Sequence, residues 1–114
     1  MKTYRVRLTA RAEKDVEAIR RYLAEELHDP AAARMVCAQL EEGIASLARS
    51  PERCALLDSE PERSRGLRSL SVGDYAVVFV VQNGAVMVLR VLSSNPKTEV
   101  FALPNRVMLK SLVR

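Results

Sequence analysis

Tryptophan is absent from this 114-residue chain, and tyrosine and phenylalanine supply only three and two residues. A surface that stacks bases needs more aromatic rings, so that mode of nucleic-acid binding is disfavoured. Histidine occurs once, at His28, and cysteine twice, at Cys37 and Cys54, with no C-x-x-C spacing. One imidazole and two distant thiols do not complete a zinc site, and no other cofactor is implied. Two such thiols read as reduced, the state expected in the cytoplasm. Long apolar runs are also missing. The first residues alternate polar and apolar without the apolar stretch of a signal peptide, and nothing approaches the roughly 20 residues of a membrane span. Blocks of like charge, internal repeats and low-complexity segments do not occur. The expectation is a cytoplasmic protein with no membrane partner.

What remains is an ordinary globular composition. Hydrophobic residues make up 48% of the chain, enough for a core and against disorder. The length suits a single domain over residues 1–114. The net charge is +4, and 14 of the 18 basic residues are arginine. Such a balance favours acidic partners, either phosphate backbones or an acidic protein segment.

The run from Gly66 to Leu92 carries the clearest structural signal. Gly73-Asp74 separates Leu67–Val72 from Tyr75–Val81, and Asn83-Gly84 separates that stretch from Ala85–Leu92. Asn-Gly between apolar β-branched runs marks a hairpin, because both central residues of a type I′ turn need positive φ. Three strands in an antiparallel meander are predicted. Before them, Tyr4, Val6 and Leu8 alternate with polar residues as a first strand. Thr9 is a helix N-cap, and Ala12, Val16, Ile19, Leu23 and Leu27 form one apolar helical stripe. Asp29 and Pro30 suit the cap and first position of a second helix, which carries Ala33, Val36, Leu40, Ile44 and Leu47 and stops at Ser50-Pro51. The stretch from Ser50 to Gly66 reads as a polar connecting loop. Beyond Ser93, Pro104 can open a short C-terminal helix.

Tyr75–Val81 and Ala85–Leu92 are apolar on nearly every residue. Continuous apolarity requires cover on both faces of the sheet. The helical hairpin covers one face. The tail, with Val100, Phe101, Leu103, Val107, Leu109 and Leu112, or a partner chain must cover the other.

Specific residues accompany this element order: Y-R-V-x-L-T-x-x-A-E-x-D-V-x-x-I-x-x-Y-L from Tyr4 to Leu23, L-E-x-G-I-x-x-L-x-x-x-P from Leu40 to Pro51, G-L-R-x-L-x-V-G-D-Y from Gly66 to Tyr75, and V-L-R-V-L from Val88 to Leu92. The chain resembles the RelE/ParE superfamily of type II toxin–antitoxin toxins, with the match running from Thr3 to about Ser93. The resemblance implies an α+β fold of order β-α-α-β-β-β, with a helical hairpin on one face of a small, mostly antiparallel sheet. It also implies a toxin neutralised by a cognate antitoxin. RelE-like members cut mRNA on the ribosome, and ParE-like members poison DNA gyrase.

The nuclease pattern is not matched here. Ala76 follows Tyr75 where those nucleases place an arginine, Leu67-Arg68-Ser69 replaces a more basic strand, and Phe101 stands nearest to their C-terminal tyrosine. Ser94-Asn95-Pro96-Lys97 is all that remains of an Arg-rich stretch. The ParE-like (plasmid stabilisation) branch therefore leads. If the chain is instead a ribosome-dependent endoribonuclease, Arg68, Arg90 and Lys97 supply its charges. A non-toxic, degenerate antitoxin-binding module is a third reading, and a homodimer is open. Candidate partner-binding residues are Arg65, Arg68, Tyr75, Arg90, Phe101 and Arg106. Each also has a plain reading: Tyr75 as a packed core residue, Arg68 paired with Glu62 or Asp74, Asp15 solvated or ion-paired, and His28 as an exposed turn residue.

Overall fold

The computed structural model describes residues 3–93. The expected C-terminal helix, the tail as a cover, and Lys97, Phe101 and Arg106 lie outside the described residues. The elements are β1 (Arg5–Leu8), α1 (Ala10–Arg21), a π turn (Tyr22–Glu26), α2 (Pro30–Ser46), a 3-10 turn (Pro51–Arg53), β2 (Arg68–Val72), β3 (Tyr75–Gln82) and β4 (Ala85–Ser93). The sheet order is β1-β4-β3-β2. β2, β3 and β4 form the antiparallel meander, and β1 joins it parallel to β4. This is the α+β arrangement expected from the sequence.

Local chemistry sets the element ends. Thr9 Oγ1 accepts from the Ala12 amide at 3.1 Å, and the Asp29 carboxylate accepts from the Ala32 amide at 3.0 Å. Each satisfies one amide that a helix start leaves without a partner. The turn at Asn83-Gly84 has φ of 52° and 75°, the pair of positive values that a type I′ hairpin demands. One difference concerns the end of α1. The predicted α-helical stripe ran to Leu27, but the last five residues widen into a π turn, closed by the Leu27 amide donating to the Tyr22 carbonyl at 3.0 Å. His28 then reverses the chain with φ of 50° and is exposed.

Both helices pack on one sheet face. Ile19, Leu40, Ile44 and Leu47 meet Tyr75, Val77, Phe79, Val86, Val88 and Val91. α2 approaches β2 so closely that a Cβ on Gly43 would lie 2.7 Å from Val72 Cγ2. The other face has its own smaller cluster of Leu67, Val78 and Leu92, against which Leu57, Val80 and Leu89 pack. The segment read as a polar connector thus supplies apolar cover. It is tied to β2 by the Ser69 amide donating to Ala55 and the Leu57 amide to Leu67. It also buries Pro51, Cys54 and Glu62, whose Oε1 accepts from Ser59 Oγ at 2.6 Å.

A β-bulge in β4 explains how α1 is held. Val78 pairs with Arg90 and Phe79 with Val88, so Leu89 is the extra residue. β1 ends opposite Val88, and past that point the edge of β4 has no strand neighbour. α1 takes over there. Thr9 Oγ1 donates to the Leu89 carbonyl at 3.0 Å, and the Val91 amide donates to Asp15 Oδ2 at 2.9 Å. The same carboxylate accepts from Arg90 Nε at 2.6 Å and from Nη2 at 2.9 Å. The Arg90 side chain is 3% exposed and that of Asp15 12%, so water does not screen the pair.

Removing one partner strands the other charge in the interior. Asp15→Ala is expected to lower unfolding stability by about 3–5 kcal/mol, whereas Asp15→Leu/Arg90→Met recovers much of the loss; chemical denaturation of both proteins checks this. Gly43→Ala gains about 1 kcal/mol of helix propensity but meets a stiff valine, and a net loss of about 1 kcal/mol is expected. Val72→Ala in the same chain should turn Gly43→Ala from harmful to stabilising.

Candidate partner-binding surface

The described surface contains one predominantly apolar groove, of about 560 Å³, where α1, α2 and β1 come together. Val6 and Leu8 come from β1, Val16 from α1, Ile44 and Ala45 from α2, and Ala48 from the turn that follows. The stripes that make the helices amphipathic also make this groove, because four-residue β1 is too short to fill the space between them. Glu13 and Glu41 are its two charged residues, and both are exposed. Tyr4 lines it as well, with its hydroxyl donating to Glu52 Oε1 at 3.0 Å. That bond to a carboxylate, with some burial, raises the phenol pKa above its ordinary value.

The sequence candidates occupy different environments. Arg90 is buried against Asp15, and its Nη1 has no hydrogen-bond partner among the described residues. Arg68 does not pair with Glu62 or Asp74 as the sequence reading allowed. Its Nη1 donates to the carbonyls of Cys54 at 2.7 Å and Glu52 at 3.3 Å, fastening the 3-10 turn to the start of β2. Tyr75 is 8% exposed and lies in the main core, where burial foremost, then the Asp74 charge, raises its pKa. Arg65 is exposed. The candidates therefore do not build one surface. The sequence reading assigned the groove residues to packing, and the only signal of a groove was a helix pair longer than the strand beneath it.

Two further groups bear on chemistry. Cys37 is half-buried, and burial raises its thiol pKa, which keeps it in the unreactive protonated form. Among the described residues no group of three His, Cys, Asp or Glu side chains is placed to hold a metal ion. No helix among them is long and apolar enough to cross a membrane. Arg68→Ala should cost about 1–2 kcal/mol and speed proteolysis between residues 55 and 66, since two carbonyls lose a charged donor. Chemical denaturation and limited digestion read the two effects.

Comparison with known proteins places this geometry. Among curated proteins no significant match occurs. The fold is similar to that of a chain in the chromosomal ParDE toxin–antitoxin system of P. aeruginosa, with a TM-score of 0.68 and 22% identity over 82% of this chain and 98% of that one. It is also similar to a chain of the RelBE toxin–antitoxin complex of Mycobacterium tuberculosis, with a TM-score of 0.58 and 24% identity over 83% and 97%. The family model described as the ParE toxin of type II toxin–antitoxin system, parDE, matches residues 6–95. The chain belongs to the ParE toxin family, the toxin component of type II toxin–antitoxin systems.

Proposed function

We propose that this toxin acts by binding a macromolecular target, with DNA gyrase the first candidate, and that a cognate antitoxin neutralises it. One observation carries the choice of binding over RNA cleavage. Of the charges a nuclease would use, Arg90 is buried against Asp15 and Arg68 is engaged by backbone carbonyls. Cleavage needs a base for the 2′-hydroxyl, an acid for the leaving oxygen and charge at the phosphorane. His28, the single imidazole, sits exposed in the helix–helix turn, away from the sheet arginines. The antitoxin reading is supported by the family and by solved toxin–antitoxin complexes of the same fold.

Induction of the gene alone should arrest growth, and co-induction with the adjoining gene should restore it. Purified toxin should inhibit gyrase supercoiling and leave ribosome-bound mRNA intact. Ribosome-dependent cleavage that is lost in Arg68→Ala would reverse the assignment to an endoribonuclease. Normal growth at high expression would instead make the chain an inert antitoxin-binding module.

A further inference from the structure

We propose that the outer edge of β1 and the groove beside it receive an extended segment of the antitoxin as an added strand. Its inward side chains are apolar with one basic residue, and its outward side chains are acidic. The inference rests on the antitoxin reading above.

The edge is visible in the hydrogen bonding. The amides of Arg5 and Thr9 donate to Gly84 and Val88, so alternate residues of β1 face β4. The intervening amides of Tyr4, Val6 and Leu8 face the other way. Tyr4 donates to the Ala48 carbonyl at 2.8 Å, and Val6 and Leu8 continue the same edge toward Thr9. Neither carries a proline, a bulge or a covering loop, the usual protection of an exposed edge. The groove of about 560 Å³ lies on the helix side of this edge. An added strand would place alternate side chains into it, over Val16, Ile44 and Ala45.

Charge selects the occupant. Arg5 and Arg7 alternate with Val6 and Leu8, so they stand on the opposite sheet face, and both are exposed. Glu13 and Glu41 stand at the groove. A second copy of β1 paired antiparallel would set arginine against arginine, and like charges directly opposite are unfavourable. A segment with acidic residues outward and a basic residue toward the glutamates meets both sides. Such a strand is complementary to this chain and not to itself.

The test measures binding of the adjoining gene's product to the full chain by titration calorimetry, with hydrogen exchange of the toxin. Ala45→Trp, which fills the groove from an exposed position, should weaken binding by about 100-fold. Arg5→Glu/Arg7→Glu and Glu13→Lys should each weaken it by about tenfold and increase its salt sensitivity. The Val6 and Leu8 amides should exchange more slowly in the complex. Circular dichroism of each variant confirms the fold, and the exchange data on the unmodified protein stand without any variant. Full affinity in Ala45→Trp with unprotected Val6 and Leu8 would place the antitoxin elsewhere and overturn this inference alone. A toxin dimer abolished by Ala45→Trp would make the occupant a second copy and likewise overturn it. No binding by the unmodified chain would overturn the antitoxin reading as well.

Discussion

The hold of Asp15 on the far end of β4 is the constraint from which the architecture follows. A parallel strand of four residues cannot cover a neighbour of nine. The bulge at Leu89 turns a carbonyl and an amide toward the uncovered edge, and α1 meets both with a hydroxyl and a carboxylate. The carboxylate accepts three N–H bonds in all, two of them from Arg90. A buried ion pair adds little net stability compared with an apolar pair of the same size. What this one adds is register. Slipping β4 by one residue would move every apolar side chain to the wrong face and leave Asp15 buried without its partners.

Much of this arrangement is legible in the sequence. The meander follows from Gly73-Asp74 and Asn83-Gly84, whose turn chemistry is local. Thr9 and Asp29-Pro30 mark helix starts for the same reason. The parallel return of β1, the bulge and the ion pair are not local. Asp15 and Arg90 lie 75 residues apart, and no window along the chain contains both. A trace existed all the same. Asp15 falls three residues after Ala12 and four before Ile19, on the apolar stripe of α1. Arg90 stands alone within an apolar strand. Two opposite charges on two buried surfaces ask for each other.

The connector before β2 misled in the opposite direction. Its composition, with Pro51, Pro61 and many charged residues, is that of an exposed loop. Its few apolar residues do the covering: Leu57 and Leu67 on the outer face, Cys54 in the main core. Composition averages over a segment, whereas burial is decided residue by residue. The arginines show the same point. Arg53 caps the last carbonyls before the 3-10 turn, Arg68 the carbonyls within and after it, and Arg90 completes an ion pair. The net positive charge that seems to advertise an anionic partner is partly spent on the protein's own backbone and carboxylates.

The parallel pairing of β1 with β4 has a consequence for synthesis. The first strand finds its neighbour only among residues 85–88, and the first helix finds its anchor at residues 89–91. A growing polypeptide therefore carries its amino-terminal half without a seat until the closing strand has left the ribosome. The groove between the helices and β1 is assembled in that final step, so a truncated translation product has neither the finished surface nor the protein's stability.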